Sequence, residues 1–426
     1  MNDTVYALSS GAPPAGIAVI RISGPAAREA LVSLGGRLPE PRLASLRALR
    51  SPDGELLDRA LVLWLPGPRT ASGEDMAELH LHGGRAVVTA VERALDSLPG
   101  LCKAGPGEFT RRAFANGRID LAEAEGLADL LTAETELQRR HALSLASGAF
   151  STQVGRWRDR VLAASAALEA TLDFGDEDDV EQLPSGFADD LQGLVDELDM
   201  AIAAPRAELL REGFRVVLAG PPNSGKSSLF NALIEHEAAI TAPIAGTTRD
   251  VLTRPVALAG IPFLFADTAG IREHTDDIIE TIGIQRARLT LEEADLVLWL
   301  GDEGEASGKL VWEIDSFADV STRPIKARAR HRVSAVSGEG IAALRDDLVD
   351  LARQTLSGPS LAALNTRQRD LLTSARSAMQ EAVHAHDALI VGEAMRTARL
   401  AFDRLLGQAA TEDMLDTLFG RFCSGK

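Results

Sequence analysis

The sequence predicts a multidomain chain: an N-terminal α+β domain, then a helical domain interrupted by an inserted α/β unit. Three observations lead there. The chain has 426 residues, more than one hydrophobic core serves, so roughly two to four compact units are expected. Its texture changes near residue 119, from short apolar runs punctuated by Gly and Pro to long Ala/Leu/Glu/Arg-rich segments, and it returns to helix after about residue 360. Between residues 213 and 355, short β-rich runs alternate with helical ones, as in a parallel sheet with crossover helices.

In the first region, Ile17–Ile22 and Ala60–Leu65 read as strands. Met76–His82 alternates apolar and polar residues and stops at Gly83-Gly84, where a helix-like run begins. In the second, Val154, Trp157, Val161, Leu168 and Leu172 recur at helical spacing, with Ser165 in the gap of the stripe, and mark one buried helix face. The acidic run Asp176-Glu177-Asp178-Asp179, followed by Pro184 and Gly186, reads as a solvated loop. Beyond the α/β unit, Leu371, Leu372, Ala375, Met379, Ala382 and Val383 form another helical stripe. Helix before and after the α/β unit implies that the unit is inserted and that the flanking helical pieces pack together.

Composition narrows the class. Hydrophobic residues make up 45% and charged residues 25% of the chain, as in an ordinary globular protein. No run of about 18 apolar residues suits a membrane span, and Met1-Asn2-Asp3-Thr4 lacks the basic-then-apolar start of a secretory signal. With only Cys102 and Cys423, a disulfide-built secreted fold is excluded, and a cytoplasmic, reducing setting is expected. The net charge of −18 argues against a broad electrostatic grip on nucleic acid, which needs clustered Lys and Arg. Any RNA substrate requires a local basic patch or a partner.

The chemistry concentrates in the α/β unit. Phe214–Ala219 is a buried-strand pattern running into Gly220-Pro221-Pro222-Asn223-Ser224-Gly225-Lys226-Ser227, which matches the phosphate-binding loop. Glycines let backbone N–H groups close around phosphate oxygens, and the next helix presents its positive end. Lys226 is expected to reach the β- and γ-phosphates, and the Ser227 hydroxyl to hold Mg²⁺. Gly246-Thr247-Thr248-Arg249-Asp250 offers a switch threonine, Thr248, for Mg²⁺ and the γ-phosphate. A second strand, Ile261–Ala266, ends in Asp267-Thr268-Ala269-Gly270; there Asp267 faces Mg²⁺ through water and the Gly270 N–H senses the γ-phosphate. The three elements in this order predict a Ras-like P-loop GTPase domain rather than a generic ATPase. Ile271 stands where many GTPases carry a water-orienting Gln, so Glu280, downstream in Asp277–Gly283, becomes the catalytic candidate beside Lys226.

The guanine-reading element departs from its pattern. Asn-Lys-x-Asp is expected after the next strand, yet Leu310–Ile314 leads into Asp315-Ser316-Phe317-Ala318-Asp319. Asp319 keeps the carboxylate that accepts from the guanine edge, while Ser316 and Phe317 replace Asn and Lys. Ser334-Ala335-Val336 preserves the Ser-Ala of the later base-contacting loop without its Lys.

At both ends the residues resemble a known family. Asp3–Ala7 with Gly16–Gly24, Gly73-Glu74-Asp75 through His82-Gly83-Gly84, Pro106–Phe114 and Asn116–Glu125 follow in order. The C-terminal Arg421-Phe422-Cys423-Ser424-Gly425-Lys426 resembles a Cys-x-Gly-Lys ending. Together they resemble the tRNA uridine-5-carboxymethylaminomethyl modification GTPases, the bacterial MnmE/TrmE family, over nearly the whole chain.

The resemblance implies an N-terminal folate-binding and dimerisation domain (1–118), a helical domain in two parts (119–212 and 357–426) and an inserted G domain (213–356). It implies that Arg21, Glu78, Arg118 and Lys426 hold a tetrahydrofolate derivative, 5-formyl- or 5,10-methylene-tetrahydrofolate; Arg118 stands where the family often has Lys. The nucleotide contacts would be Asn223, Ser224, Gly225, Lys226, Ser227 and Ser228, then Ala242, Pro243, Ile244, Ala245, Gly246, Thr247 and Thr248. Asp267, Thr268, Ala269, Gly270, Asp319, Ser334 and Ala335 complete that set. By similarity, Asn223 with Ala242, Ile244 and Thr247 would ligate K⁺, supplying charge that an arginine finger gives elsewhere. The implied partners are a second copy of the chain, tRNA, and a flavoprotein that brings FAD and NADH in a heterotetramer, with no membrane. The product would be an aminomethyl-type group at C5 of uridine 34. Cys423, without a fixed base, is not assigned a chemical role.

Two other readings stay open on sequence: a ribosome-assembly GTPase switch without modification chemistry, and a scaffold that has lost guanine selectivity. Against the first stand the folate-like N-terminal module, the Cys-x-Gly-Lys ending and the absence of a basic RNA-binding module after the G domain. Each charge-assisted hydrogen bond is worth about 1.5–3 kcal/mol, so Asp319 alone is expected to keep a preference for guanine at weakened affinity. Competition of unlabelled GDP and ADP against fluorescent GDP in KCl buffer checks this: GDP should compete better, and equal competition would refute guanine reading by Asp319.

Overall fold

The computed structural model describes residues 3–174, 186–203, 207–234, 252–267, 293–304, 308–321, 323, 325–356, 363–408, 411–423 and 425. The acidic run at 176–179 lies outside them. The chain divides into two compact units, one of residues 1–128 with 403–426 and one of residues 129–402.

In the first unit, strands β1 (Thr4–Leu8), β2 (Ile17–Ser23), β3 (Ser45–Arg50), β4 (Leu56–Leu65), β5 (Met76–His82) and β6 (Leu101–Lys103) form one sheet. Its order is β3-β4-β5-β2-β1-β6; the β1–β6 pair is parallel and the others are antiparallel. Alternation sorts the side chains. Ala18, Ile20 and Ile22 of β2 and Ala77, Leu79 and Leu81 of β5 enter one core. That core includes Ala27, Leu31 and Leu34 from helix Ala27–Gly35 and Val88, Val91 and Leu95 from helix Arg85–Asp96. On the opposite face, Val5 and Ala7 of β1 pack with Ala104 and with Phe109 of helix Glu108–Ala115.

Arg112 on that helix is 1% exposed. Its guanidinium meets Asp3 at 3.0 Å, Glu74 at 3.2 Å and Glu108, one turn earlier, at 3.1 Å. A buried cation needs such partners, and here they tie the β1 entry, the 70–75 loop and the helix to one point. The helix Glu412–Phe419 closes the unit, with Leu415, Leu418, Phe419 and Phe422 packing on Leu121 and Ala124 beside Phe114.

In the second unit, helices Glu136–Ala146, Ala149–Phe174, Phe187–Ile202, Thr366–His384 and Ala388–Leu405 accompany a second sheet. Val154, Trp157, Val161 and Leu168 are buried as their spacing predicted, whereas Leu172, near the end of its helix, is 47% exposed. Helices from before and after the sheet pack together: Phe187–Ile202 lies on Thr366–His384, fixed by a two-pronged Arg376–Asp199 pair at 2.9 and 3.1 Å.

The sheet comprises β7 (Phe214–Ala219), β8 (Leu252–Leu258), β9 (Ile261–Asp267), β10 (Leu296–Trp299), β11 (Val311–Ser316) and β12 (His331–Val333). Its order is β12-β11-β10-β7-β9-β8. All pairs are parallel as expected except β8–β9, which is antiparallel. Sequence texture did not reveal β8. Its Pro255 cannot donate to a ladder and is tolerated at a sheet edge, and Ala259-Gly260, both at positive φ (48° and 76°), make the tight turn. β11 also starts one residue later and runs two residues further than the apolar run suggested, carrying Asp315 and Ser316 to the sheet's end.

Arg112 generates a stability prediction. Partial burial pushes the Asp3 carboxyl up, but its own backbone N–H and the Arg112 guanidinium outweigh that and hold it below the ordinary 3.8. A depressed carboxylate contributes stability that is complete above its unfolded value and is lost as pH falls through the lower folded value. Arg112→Met should therefore cost about 3 kcal/mol at neutral pH and flatten the loss of stability between pH 4 and lower values, measured by urea unfolding across pH.

Candidate active site

Strand β7 lies between β9 and β10 with Val216, Val217, Leu218 and Ala219 buried. The chain leaves it through Gly220 at φ 148°, passes Asn223 at 61° and Gly225 at 93°, and enters helix Lys226–Ile234. A Cβ on Gly220 would lie 3.0 Å from both the Gly301 nitrogen and Ser224 Oγ, so the loop closes only around glycine there. The helix then aims its N-terminal N–H groups into the loop.

Lys226 is buried, and its Nζ donates to the carbonyls of Gly220 at 3.0 Å and Pro221 at 2.8 Å. The ammonium thus lies along the loop it would share with phosphate. Ser227 Oγ donates to Asp267 Oδ2 at 2.8 Å. Asp267, 3% exposed, ends β9 beside Leu218 of β7. A hydroxyl and a carboxylate in contact at the foot of a phosphate loop are the hard-oxygen donors that Mg²⁺ takes. Among the described residues, Ser224 Oγ is buried with no hydrogen-bond partner. A buried hydroxyl of this kind calls for a polar ligand, and a phosphate oxygen suits it. The loop therefore fits a phosphate group with its metal.

The segment expected to read the base stands at the end of β11. Ser316 Oγ donates to the Ser224 carbonyl at 2.9 Å. Ala318 N–H bonds to Val333 O at 3.0 Å, and Arg332 donates to the Ala318 carbonyl at 3.0 Å. Asp319 is exposed beyond it. Ser334 is buried, and its Oγ accepts from the Val336 and Ser337 N–H groups at 3.2 and 3.1 Å, turning the loop that carries Ala335. Asn223, Ser224, Gly225, Lys226, Ser227, Ser228, Asp267, Asp319, Ser334 and Ala335 are thus described in one unit. Ala242, Pro243, Ile244, Ala245, Gly246, Thr247, Thr248, Thr268, Ala269, Gly270 and Glu280 lie outside the described residues.

The first unit holds the other candidates. Arg21 and Glu78 face each other across the β2–β5 register, with Arg21 Nη2 and Nε at 3.1 and 3.2 Å from Glu78 Oε1. His80 Nε2 reaches Glu78 Oε2 at 3.2 Å, and the Arg21 guanidinium lies 5.8 Å from the Phe109 ring centroid. Arg118 lays its stem on Gly73, where a Cβ would come within 3.1 Å of its Cγ. The tail returns to this unit, since a Cβ on Gly425 would fall 2.0 Å from the Leu8 carbonyl oxygen. Cys423 is exposed, and Lys426 lies outside the described residues. Sequence reasoning missed Arg112, Phe109 and His80. Only the Glu108–Arg112 spacing of one helical turn hinted at the first of these.

Comparison with known proteins decides the family. The model described as "GTP-binding protein TrmE N-terminus" matches residues 4–118, and that of the "MnmE helical domain" matches residues 121–423. The chain belongs to the MnmE/TrmE family of tRNA modification GTPases. The tRNA modification GTPase MnmE of Erythrobacter litoralis is 60% identical over 424 residues, covering 100% of each chain. That of Novosphingobium aromaticivorans is 60% identical over 437 residues, again over 100% of each, and that of Rhizorhabdus wittichii is 57% identical over 428 residues. MnmE membership agrees with the fold expected from sequence, an α+β unit at the N-terminus with helices around a phosphate-loop sheet. No described helix is long and apolar enough to cross a membrane.

Removal of the Lys226 ammonium or the Ser227 hydroxyl tests the loop. Lys226→Ala and Ser227→Ala should each lower GTP turnover by about 10²–10³, the usual cost of deleting one preorganised electrostatic group. Phosphate release at saturating GTP measures it, and turnover that survives both substitutions would place hydrolysis elsewhere.

Proposed function

We propose that this GTPase hydrolyses GTP in the Gly220–Ser227 loop and uses the cycle to drive C5 modification of uridine 34 in tRNA. The observation that carries the reading is the Lys226, Ser227, Asp267 and Ser224 constellation in a chain of this family: a buried ammonium, a hydroxyl–carboxylate contact at 2.8 Å and a buried hydroxyl with no hydrogen-bond partner among the described residues. Lys226 neutralises charge on the β- and γ-phosphates, Ser227 and Thr248 hold Mg²⁺ with Asp267 behind them, and Glu280 orients the attacking water where Ile271 cannot. Asn223, with the backbone at Ala242, Ile244 and Thr247, holds K⁺; it already adopts the left-handed conformation, which Asn tolerates better than most residues.

In the same reading, residues 1–118 form the folate-binding and dimerisation domain, residues 119–212 and 357–426 the helical domain, and residues 213–356 the G domain. Arg21, Glu78, Arg118 and Lys426 bind the tetrahydrofolate derivative that donates one carbon. The Arg21–Glu78 pair beneath Phe109 offers a cation, an anion and an aromatic face to a ligand with a polar ring and carboxylates. The protein works in the cytoplasm as a homodimer, joined by an FAD- and NADH-using flavoprotein in a heterotetramer. The match of residues 4–118 to the TrmE N-terminus weighs against a ribosome-assembly switch.

GTP turnover of the full chain in KCl and in NaCl tests the ion. Turnover should be higher in KCl, toward the about 10³–10⁵ that an equivalent arginine finger supplies, and Asn223→Ala should abolish the difference. Equal rates in the two salts would remove K⁺ from the reading.

A further inference from the structure

The segment that departs from the guanine-reading pattern has its own geometry. Ser316 anchors it to the phosphate loop through the Ser224 carbonyl at 2.9 Å, so the hydroxyl that replaces Asn donates to protein rather than to a base. The next residue, Phe317, has φ 67°, a left-handed conformation that is rare for a bulky side chain. The turn swings its ring back onto the loop: the ring Cζ and Cε2 lie 3.3 and 3.5 Å from where a Cβ on Gly225 would stand. Arg323 then brings its guanidinium to 4.4 Å from the ring centroid, within cation–π range, and its N–H bonds to Val320 O at 3.4 Å. Asp319 stands exposed two residues past the ring. A π face and a planar cation therefore meet at the rim of the Gly220–Ser227 loop, with the exposed Asp319 two residues along the chain.

We propose that Phe317 and Arg323 form a stacking wall for the purine of the bound nucleotide, so that this chain holds the base by its face and leaves only Asp319 to read its edge. The proposal rests on the nucleotide reading of the Gly220–Ser227 loop. Every base has a π face, so aromatic stacking adds affinity without choosing among bases. A lysine at this position, as the usual pattern has it, offers no such ring. The two properties separate: Phe317 and Arg323 set how tightly a purine nucleotide binds, and Asp319 sets which purine is preferred.

The test uses the full chain and measures Kd for GDP, IDP and ADP by competition. Phe317→Ala should weaken all three alike, by about 5–100-fold, and Phe317→Leu, which refills the space over Gly225, should recover little. Arg323→Gln should weaken all three in the same direction and by less. Asp319→Ala should weaken GDP and IDP and spare ADP. Because Phe317→Ala also opens the loop contact, Phe317→Trp supplies a readout that packing alone would not move. Its added fluorescence should be quenched on binding either GDP or ADP, by comparison with the unsubstituted chain. Unchanged affinities in Phe317→Ala and Phe317→Leu, a loss confined to GDP, or an unquenched tryptophan would overturn the wall. Failure of the unsubstituted chain to bind any nucleotide would instead overturn the site reading beneath it.

Discussion

The nucleotide site depends on where β7 ends. The strand is paired on both edges and buried along Val216–Ala219, so its backbone is free to turn only at its carboxyl end. Gly220 makes that turn, and its neighbours end at the same level. Leu218 is paired with Asp267, the last residue of β9. Leu300 N–H, just after β10, bonds to Ala219 O at 2.8 Å, and β11 delivers Ser316 to Ser224. Ligands of parallel sheets gather outside the carboxyl ends of strands for this reason. The ends of β7, β9 and β11 thus gather at one edge of the sheet, β9 registered directly on β7 and β11 through β10.

The first unit is organised by charge. Arg112 is nearly inaccessible, and a cation so placed is stable only among partners that answer both its charge and its donors. Asp3, Glu74 and Glu108 do so from three separate segments. Glu74 also accepts from Ser23 Oγ at 2.8 Å at the end of β2, and Ser23 meets Ser72 at 2.6 Å. Asn116 donates to the Ser72 carbonyl at 2.8 Å, and Gly73 supports the Arg118 stem. The 70–75 loop, bare of regular structure, is thereby held from several sides between the Arg21 strand and Arg118.

Much of this was legible in the sequence because it rests on local rules. The phosphate loop needs glycines at fixed spacing, and β2, β4, β5, β7 and β9 carry apolar patterns that burial enforces. The departures came where tertiary context overrides pattern. Leu172 continues the helical stripe yet is exposed near the end of its helix, β8 is an edge strand whose proline disguised it, and β11 continues into Asp315 and Ser316, which pair with β12. In the site, the replacement of Asn-Lys by Ser316-Phe317 was readable as a loss. The ring on Gly225 and the cation over it were not, since they depend on one backbone angle and on a residue six positions away. Arg112 was invisible for a similar reason, because two of its three acidic partners are distant in sequence.

The closing helix Glu412–Phe419 and the Gly425 contact with Leu8 carry a consequence for biosynthesis. A ribosome releases residues 3–128 long before it makes residues 411–425. At roughly 5–20 residues per second the intervening stretch takes on the order of tens of seconds. For that interval Phe114, Leu121 and Ala124 lack the side chains that bury them. The nascent chain therefore carries apolar side chains that its own far end must cover. A message cut short after the phosphate loop but before the closing helix Glu412–Phe419 yields a product that carries the whole loop yet leaves Phe114, Leu121 and Ala124 without their cover.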